Sequence, residues 1–382
     1  MKLGIDVLLE RQLGEWRGVK VGLLTGASGV TSRLVPTAAA LQECPAGRLI
    51  CLFAAEHGLY GAAAAGEAIP SSDDPWTGLP VHSLYGETRE PTAEMMSAVE
   101  AVLVDLQDIG LRYYTYPSTV HAVLRGAARH GRAVVVLDRP APLTGTVVEG
   151  PITERPFQSF VSTPITPIRH GLTLGELALW MNEHDGLGAD LHVVQMQGWR
   201  RDIWFDETGL QWVPPSPNIP TLASGLAYCA TCLIEGTSVS EGRGTTQPFE
   251  IIGAPWIQGN ALAGRLNSLE LEGARFRPVW FRPTASKHAH QLCGGVQLHV
   301  TDRTVFKGVQ TGLHILATLW ELYPDHMTWV RDPSGRYFID LLLGTDKPRQ
   351  AIERGEAIDT VVAGWSGETA AFRAACAPTL LY

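Results

Sequence analysis

Two hydrophobic rhythms alternate along residues 1–155. Short continuous apolar runs at Val19 to Thr25, Leu49 to Phe53, Ala101 to Leu106 and Ala133 to Leu137 are too brief for buried helices and predict buried strands. Between them, helical spacing covers Arg33 to Glu43, Pro91 to Val99 and Ser118 to Arg129. The second of these carries Pro at its start, where a helix tolerates it. Strands alternating with helices predict an α/β domain with a parallel sheet covered on both faces. Beyond residue 155 the pattern changes. Thr173 to Asn182 reads as an amphipathic helix, Leu191 to Met196 and Gly295 to Val300 as strands, Val309 to Glu321 as a helix, and Gln211 to Pro220 as a Pro-rich turn region. Residues 156–382 are expected to form a second, smaller α+β domain closing a cleft over the first. A Gly/Ala/Ser/Pro-rich stretch from Gly58 to Leu79 lacks periodicity, the mark of a binding loop or lid.

Composition narrows the partners. The 382 residues are 45% hydrophobic and 18% charged, ordinary for a globular chain of two domains. A net charge of -9 argues against nucleic acid or an anionic membrane as partner. No apolar run is long enough to span a bilayer. Met1 to Asp6 runs directly into domain-like sequence without the pattern of a secretory signal, so a cytoplasmic location is expected as the sequence stands, and secretion if a signal has been removed. The six cysteines are sparse and lie mostly in apolar surroundings, as expected of buried thiols in a reducing compartment. Cys229 and Cys232 form a lone CxxC, and His288, His290 and Cys293 lack the spacing of a zinc site, so neither metal nor cofactor is expected.

Four polar clusters remain. Glu56-His57-Gly58 directly follows the Leu49 to Phe53 strand, and ligands of open α/β sheets bind past the carboxyl ends of strands. Asp105 to Tyr116 follows another strand, with Asp105 and Gln107 on one side by alternation, then Asp108, Arg112 and Tyr114. Asp138-Arg139-Pro140 caps a third. Three strand ends are thus expected to bring carboxylates and arginines to one face. The fourth cluster, Ser240 to Glu250, carries Glu241 and Arg243 among small residues that leave them open. Paired carboxylates suit glycosidic bond cleavage, one as general acid and the other as base or nucleophile. Trp76, Tyr85, Tyr113, Tyr114, Tyr116, Trp199, Trp204, Trp212 and Trp256 offer rings on which sugar faces can pack. A rival reading starts from Thr25-Gly26-Ala27-Ser28-Gly29, a partial dinucleotide-binding turn. It lacks the third glycine, and Gly29 stands farther from Glu56 than the roughly twenty residues the fingerprint requires.

With these segments in view, the chain resembles the peptidoglycan exo-β-N-acetylmuramidases. The resemblance rests on Glu56-His57-Gly58 through Gly66-Glu67, Ser83-Leu84-Tyr85-Gly86, Asp105 to Tyr116, Leu137 to Pro140, Arg169 to Thr173, Pro214 to Thr221, Glu235-Gly236-Thr237, and Ser240 to Glu250 with Gly253 to Trp256. It implies a Rossmann-like N-terminal domain, a smaller C-terminal one, and release of N-acetylmuramic acid from the non-reducing ends of peptidoglycan-derived saccharides. It also implies that Glu56 is the prime catalytic residue. Ala55, Gly26-Ala27 and Ala141 depart from the family pattern where Pro, Asn-Pro and Asn are common. Clusters and resemblance together make Glu56, Glu241 and Asp105 the catalytic candidates. The substrate-binding candidates are His57, Gln107, Asp108, Arg112, Tyr114, Arg139, Asn218 and Arg243, with Arg112, Arg139 or Arg243 expected to hold the lactyl carboxylate of muramic acid. The competing classes are a non-hydrolytic binder of cell-wall sugars and a nucleotide-dependent enzyme.

Overall fold

Apolar on both faces, the runs of the N-terminal half line up as neighbouring parallel strands. The computed structural model describes residues 1–11, 18–44 and 47–382. Its first part contains α1 (Gly4–Arg11), β1 (Lys20–Thr25), α2 (Thr37–Gln42), β2 (Arg48–Ala54), β3 (Ser72–Asp73), β4 (Pro80–Ser83), α3 (Ala93–Ala98) and β5 (Ala101–Asp105). It continues with α4 (Tyr116–His130), β6 (Ala133–Leu137), α5 (Leu174–His184) and β7 (Asp190–Val194). Seven strands form one sheet in the order β3-β4-β2-β1-β5-β6-β7. All its pairings are parallel except that of β3 with β4. The central strand β1 has β2 on one side and β5 on the other, so the crevice at its carboxyl end is bounded by the residues that follow all three.

The elements fall where the apolar pattern places them, and their ends follow local chemistry. α2 begins at Thr37 rather than Arg33, because Pro36 takes the N-cap position and disfavours helix in the residue before it. Thr92 and Thr173 cap α3 and α5, their hydroxyls accepting from Met95 N at 3.3 Å and Glu176 N at 3.2 Å. β7 pairs with β6 along its whole length. The boundary expected at residue 155 therefore falls inside one sheet, and residues 156–194 complete the N-terminal layer. Their loop-rich character hid this: only Asp190–Val194 is strand, and it sits at the sheet edge.

The second part contains α6 (Leu222–Thr231), β8 (Ile251–Ala254), α7 (Gly259–Asn267), β9 (Ala274–Phe281), β10 (Cys293–Val300) and α8 (Gly308–Leu322). Four shorter helices follow: α9 (Phe338–Leu343), α10 (Lys347–Glu353), α11 (Ile358–Ala363) and α12 (Ser366–Cys376). Its three strands form an antiparallel sheet, β8-β10-β9, which makes this the expected α+β unit. No helix among the described residues is long and apolar enough to cross a membrane. Cys51, Cys229, Cys232, Cys293 and Cys376 are buried thiols.

The two parts share one core and are tied by the segment between β5 and α4. Arg112 is wholly buried. Its guanidinium donates to four carbonyls: Pro151 at 2.7 Å and Thr166 at 2.5 Å in the first part, Leu342 at 3.1 Å and Leu343 at 2.6 Å in α9. Burial draws its pKa down to about 9, so it is still cationic at neutral pH. Beside it, the Tyr113 hydroxyl donates to Cys229 O at 2.7 Å in α6, and the Tyr116 hydroxyl to Pro215 O at 2.7 Å. Arg112→Met would remove the guanidinium donors from all four carbonyls. The expected cost is at least about 3 kcal/mol of stability, read as a lower urea midpoint. A midpoint equal to that of the unmodified protein would show that the clamp is dispensable.

Candidate active site

The backbone turns sharply at the carboxyl end of β2. His57 lies at φ 71°, in the left-handed region that non-glycine residues seldom occupy, and Gly58 N donates back to Ala55 O at 3.1 Å. This turn presents Glu56, itself buried, to a cavity between the two parts. Glu56 is held from two directions: Oε1 accepts from Gly66 N at 2.9 Å, and Oε2 from the Thr115 hydroxyl at 2.6 Å. The Nδ1–H of His57 donates to Ala63 O at 3.0 Å, which leaves Nε2 as an acceptor. Burial lowers the His57 pKa and Arg243 lowers it further, against the pull of Glu56 and the Ala63 carbonyl, so the ring is neutral at pH 7. The Gly58 to Leu79 stretch thus folds back, through Ala63 and Gly66, onto the turn it leaves.

The cavity has a volume of about 590 Å³, within the usual range for small-ligand sites. The second part contributes a charge cluster to the same cavity. Glu241, almost fully buried, meets Lys287 Nζ at 3.0 Å and Arg243 Nε at 3.2 Å, and Arg243 also reaches Glu235 at 2.9 Å. Lys287 further donates to the carbonyls of Ile234, Glu235 and Val239, each at 3.1 Å. Burial raises the Glu235 pKa; Arg243 opposes the rise and Glu241 adds to it. The Arg243 pKa is raised by Glu235 and Glu241 against its own burial. Gly242 makes the loop possible: at φ 80°, a Cβ there would meet Ile251 O at 2.5 Å. Tyr113, Tyr114, Tyr228 and Phe249 add aromatic surface, and Arg89, Tyr85, Phe160, Asp332 and Arg336 complete the lining.

Of the residues expected from sequence, Glu56, His57, Tyr114, Glu241 and Arg243 line this cavity, as do Tyr85 and Tyr113 among the expected rings, and the other catalytic and binding candidates do not. Asp105 and Arg139 end neighbouring parallel strands and find each other instead of a ligand. Arg139 Nε meets Asp105 Oδ1 at 2.6 Å and Nη2 meets Oδ2 at 2.8 Å, with the Thr37 hydroxyl on Oδ2 and Val30 O on the guanidinium, all buried. Gln107 donates to Asp108 O and Pro140 O, both at 2.9 Å. Asp108 is buried beside His170, and Arg112 is the interdomain clamp. Asn218 is half-buried behind Ser216 and Ile219, which do reach the cavity. Trp199 and Trp204 are core residues, Trp256 stacks on His326, and Trp76 is exposed on another crevice. Gly29 of the partial dinucleotide turn is packed so that a Cβ would strike Thr25 Oγ1 and Asp105 O, so this glycine serves close packing. Sequence reasoning missed Glu235, Lys287, Arg89, Thr115 and Phe160. Glu235 could have been found: it stands in Glu235-Gly236-Thr237, one of the segments of the family resemblance. Lys287, in a run rich in Ser and His, carried no signal. Among the described residues no group of His, Cys, Asp and Glu is arranged to hold a metal.

Comparison with known proteins places these residues in a family context. A family model described as exo-beta-N-acetylmuramidase NamZ, N-terminal, matches residues 21–223, and its C-terminal counterpart matches residues 226–382. The two matches meet at the start of α6. The chain is 44% identical over 362 residues to the peptidoglycan beta-N-acetylmuramidase NamZ of Bacillus subtilis (strain 168), covering 95% of this chain and 86% of that protein. Two crystal structures of DUF1343 family proteins from Bacteroides fragilis NCTC 9343 share the fold. Their TM-scores are 0.91 and 0.82 at 36% and 28% identity, and each comparison covers 100% of this chain and 98% of the other.

The buried pair outside the cavity has a measurable signature. Burial raises the Asp108 pKa from 3.8 to about 7, opposed by the Gly110 and Ile109 amides. Burial, aided by Arg112, lowers that of His170 from 6.5 to about 3. Between about pH 4 and 6.5 the folded chain holds one proton more at Asp108 and one fewer at His170 than the unfolded chain, so their contributions to the pH dependence of stability cancel. Asp108→Asn removes the first and leaves the second, which is full above pH 6.5 and is lost as pH falls toward 3. The variant is expected to lose about 1.4 kcal/mol per pH unit over that window relative to the unmodified protein. Denaturant melts at pH 4.5, 5.5 and 6.5 measure this, and parallel curves would contradict it.

Proposed function

Because the chain belongs to the NamZ exo-β-N-acetylmuramidase family, we propose that it hydrolyses the bond releasing N-acetylmuramic acid from the non-reducing end of peptidoglycan-derived saccharides, with Glu56 as the general acid. The observation that carries this reading is the placement of Glu56, buried and lining the same cavity as Glu235 and Glu241.

The Gly66 amide can only donate, so it commits Oε1 to accepting and leaves Oε2 to carry the proton. The Thr115 hydroxyl can rotate to accept from that proton or donate to the carboxylate once it has left. Bond cleavage moves the Oε2 proton to the departing glycosidic oxygen and leaves positive charge on the sugar ring. The carboxylate oxygens of Glu241 and Glu235, lining the same cavity, support that state through their local dipoles. Arg243 and Lys287 hold both carboxylates in place, so little reorganisation is needed as charge develops. Water then completes the hydrolysis, its proton returning to Glu56. Neutral His57 offers Nε2 to a sugar hydroxyl, and Tyr114 and Tyr228 line the cavity where an apolar ring face can pack. Asp105 takes no part, being sealed by Arg139.

Glu56→Gln is expected to lower kcat on a chromogenic β-N-acetylmuramide by roughly 10²–10⁴-fold with an unchanged melting temperature. Asp105→Asn should do the reverse, costing about 3–5 kcal/mol of stability while the folded fraction remains active. Near-normal turnover by Glu56→Gln would reject the assignment. Release of free N-acetylmuramic acid, followed by mass, separates hydrolysis from mere sugar binding.

A further inference from the structure

Four arginine and lysine side chains line the cavity: Arg89, Arg243, Lys287 and Arg336. Three already have carboxylate partners. Arg243 serves Glu235 and Glu241, Lys287 serves Glu241, and Arg336 is paired with Asp332 at 3.0 Å. Among the described residues no carboxylate lies within ion-pair distance of Arg89. Its guanidinium instead lies over two rings, 4.7 Å from the centroid of Tyr85 and 4.1 Å from that of Phe160. Tyr85 follows β4 and Phe160 belongs to the stretch between β6 and α5, so two separate segments build this aromatic shelf. One N–H of this guanidinium is shared with the Tyr85 hydroxyl, its other N–H groups remain for a planar acceptor, and the shelf fixes its orientation in advance.

Tyr85 also faces Glu56. Burial, then the Glu56 carboxylate, pushes the phenol up to about 12, and Arg89 acts in the opposite sense. A single aromatic side chain thus stands between the general acid and the unpaired cation. The lactyl group of muramic acid is an ether on C3, two ring carbons from the anomeric centre whose exocyclic oxygen Glu56 must reach. The cavity already holds Glu56, Glu235, Glu241 and Asp332, so an incoming carboxylate is repelled unless an uncommitted cation meets it.

We propose that Arg89, stacked on Tyr85 and Phe160, binds the lactyl carboxylate of the substrate bidentately and is the residue that selects muramic acid over glucosamine. This rests on the reading of Glu56 as the acid that meets the glycosidic oxygen. It moves the carboxylate grip from Arg112 and Arg139, which are buried elsewhere, and from Arg243, which already serves two glutamates.

The test compares three chromogenic substrates: the β-N-acetylmuramide, the same compound with its lactyl carboxylate converted to the amide, and the β-N-acetylglucosaminide. For Arg89→Met, kcat/KM on the free acid should fall on the order of 10–100-fold, mainly through KM, and the preference for acid over amide should collapse. Arg89→Lys should recover part of the preference, because charge returns without the planar fork. Calorimetric binding of free N-acetylmuramic acid to the Glu56→Gln protein, with and without Arg89→Met, gives a readout independent of turnover. Equal losses on acid and amide, or unaltered binding of the free sugar, would overturn the proposal. If the sugar binds through Arg89 but the unmodified protein cleaves none of the substrates, the assigned reaction fails and the carboxylate site stands.

Discussion

The structure depends most on one short segment, Arg112 to Tyr116, in which interdomain contacts and the hold on Glu56 are made by adjacent residues. Arg112 gathers carbonyls from both parts of the chain, Tyr113 bonds to the end of α6, and Tyr116 bonds to Pro215. Thr115 occupies the N-cap position of α4, yet its side chain makes no cap and bonds to Glu56 instead. A residue type that normally closes a helix is here directed at a carboxylate. Any hinge opening between the parts would have to break charge-assisted hydrogen bonds in a dry interior, where each is strong and its loss costly. The cleft is therefore a fixed geometry, suited to chemistry in which reacting groups must be held in place before charge develops.

The two walls solve the problem of buried charge differently. On the N-terminal side, Glu56 is held by one amide and one hydroxyl, donors that leave its net charge uncancelled. On the C-terminal side, Glu235 and Glu241 share Arg243, and Glu241 also meets Lys287, so the carboxylates are close to neutralised as a group. In the proposed mechanism the first wall exchanges a proton with the ligand and the second presents a preorganised field. Arg89 stands apart from both, its charge resting on aromatic faces.

The alternation of apolar runs with helical spacing made the parallel sheet legible, because strands buried on both faces leave an uninterrupted signal. β7 was legible as a strand, but its membership of the first sheet was not, since pairing across a long irregular connection leaves no local trace. At the site, the rule that ligands gather at strand ends led to the cavity at Glu56 but not at Asp105 and Arg139. Ends of adjacent strands are close enough for opposite charges to neutralise each other, and composition cannot tell such a pair from a pair aimed at a ligand. Glu56, Glu241 and Arg243 were readable from glycine-rich turns next to charges. Lys287 and Arg89 depend on side chains meeting across distant segments, which sequence spacing does not encode.

The most direct measurement is a crystal structure of the Glu56→Gln protein with an intact muramic acid–glucosamine disaccharide bound. The account predicts the glycosidic oxygen about 2.6–3.2 Å from the side chain at position 56, with the non-reducing sugar between that residue and the Glu235–Glu241 wall. A disaccharide seated elsewhere, or lying in the cavity with its glycosidic oxygen turned away from position 56, would contradict it.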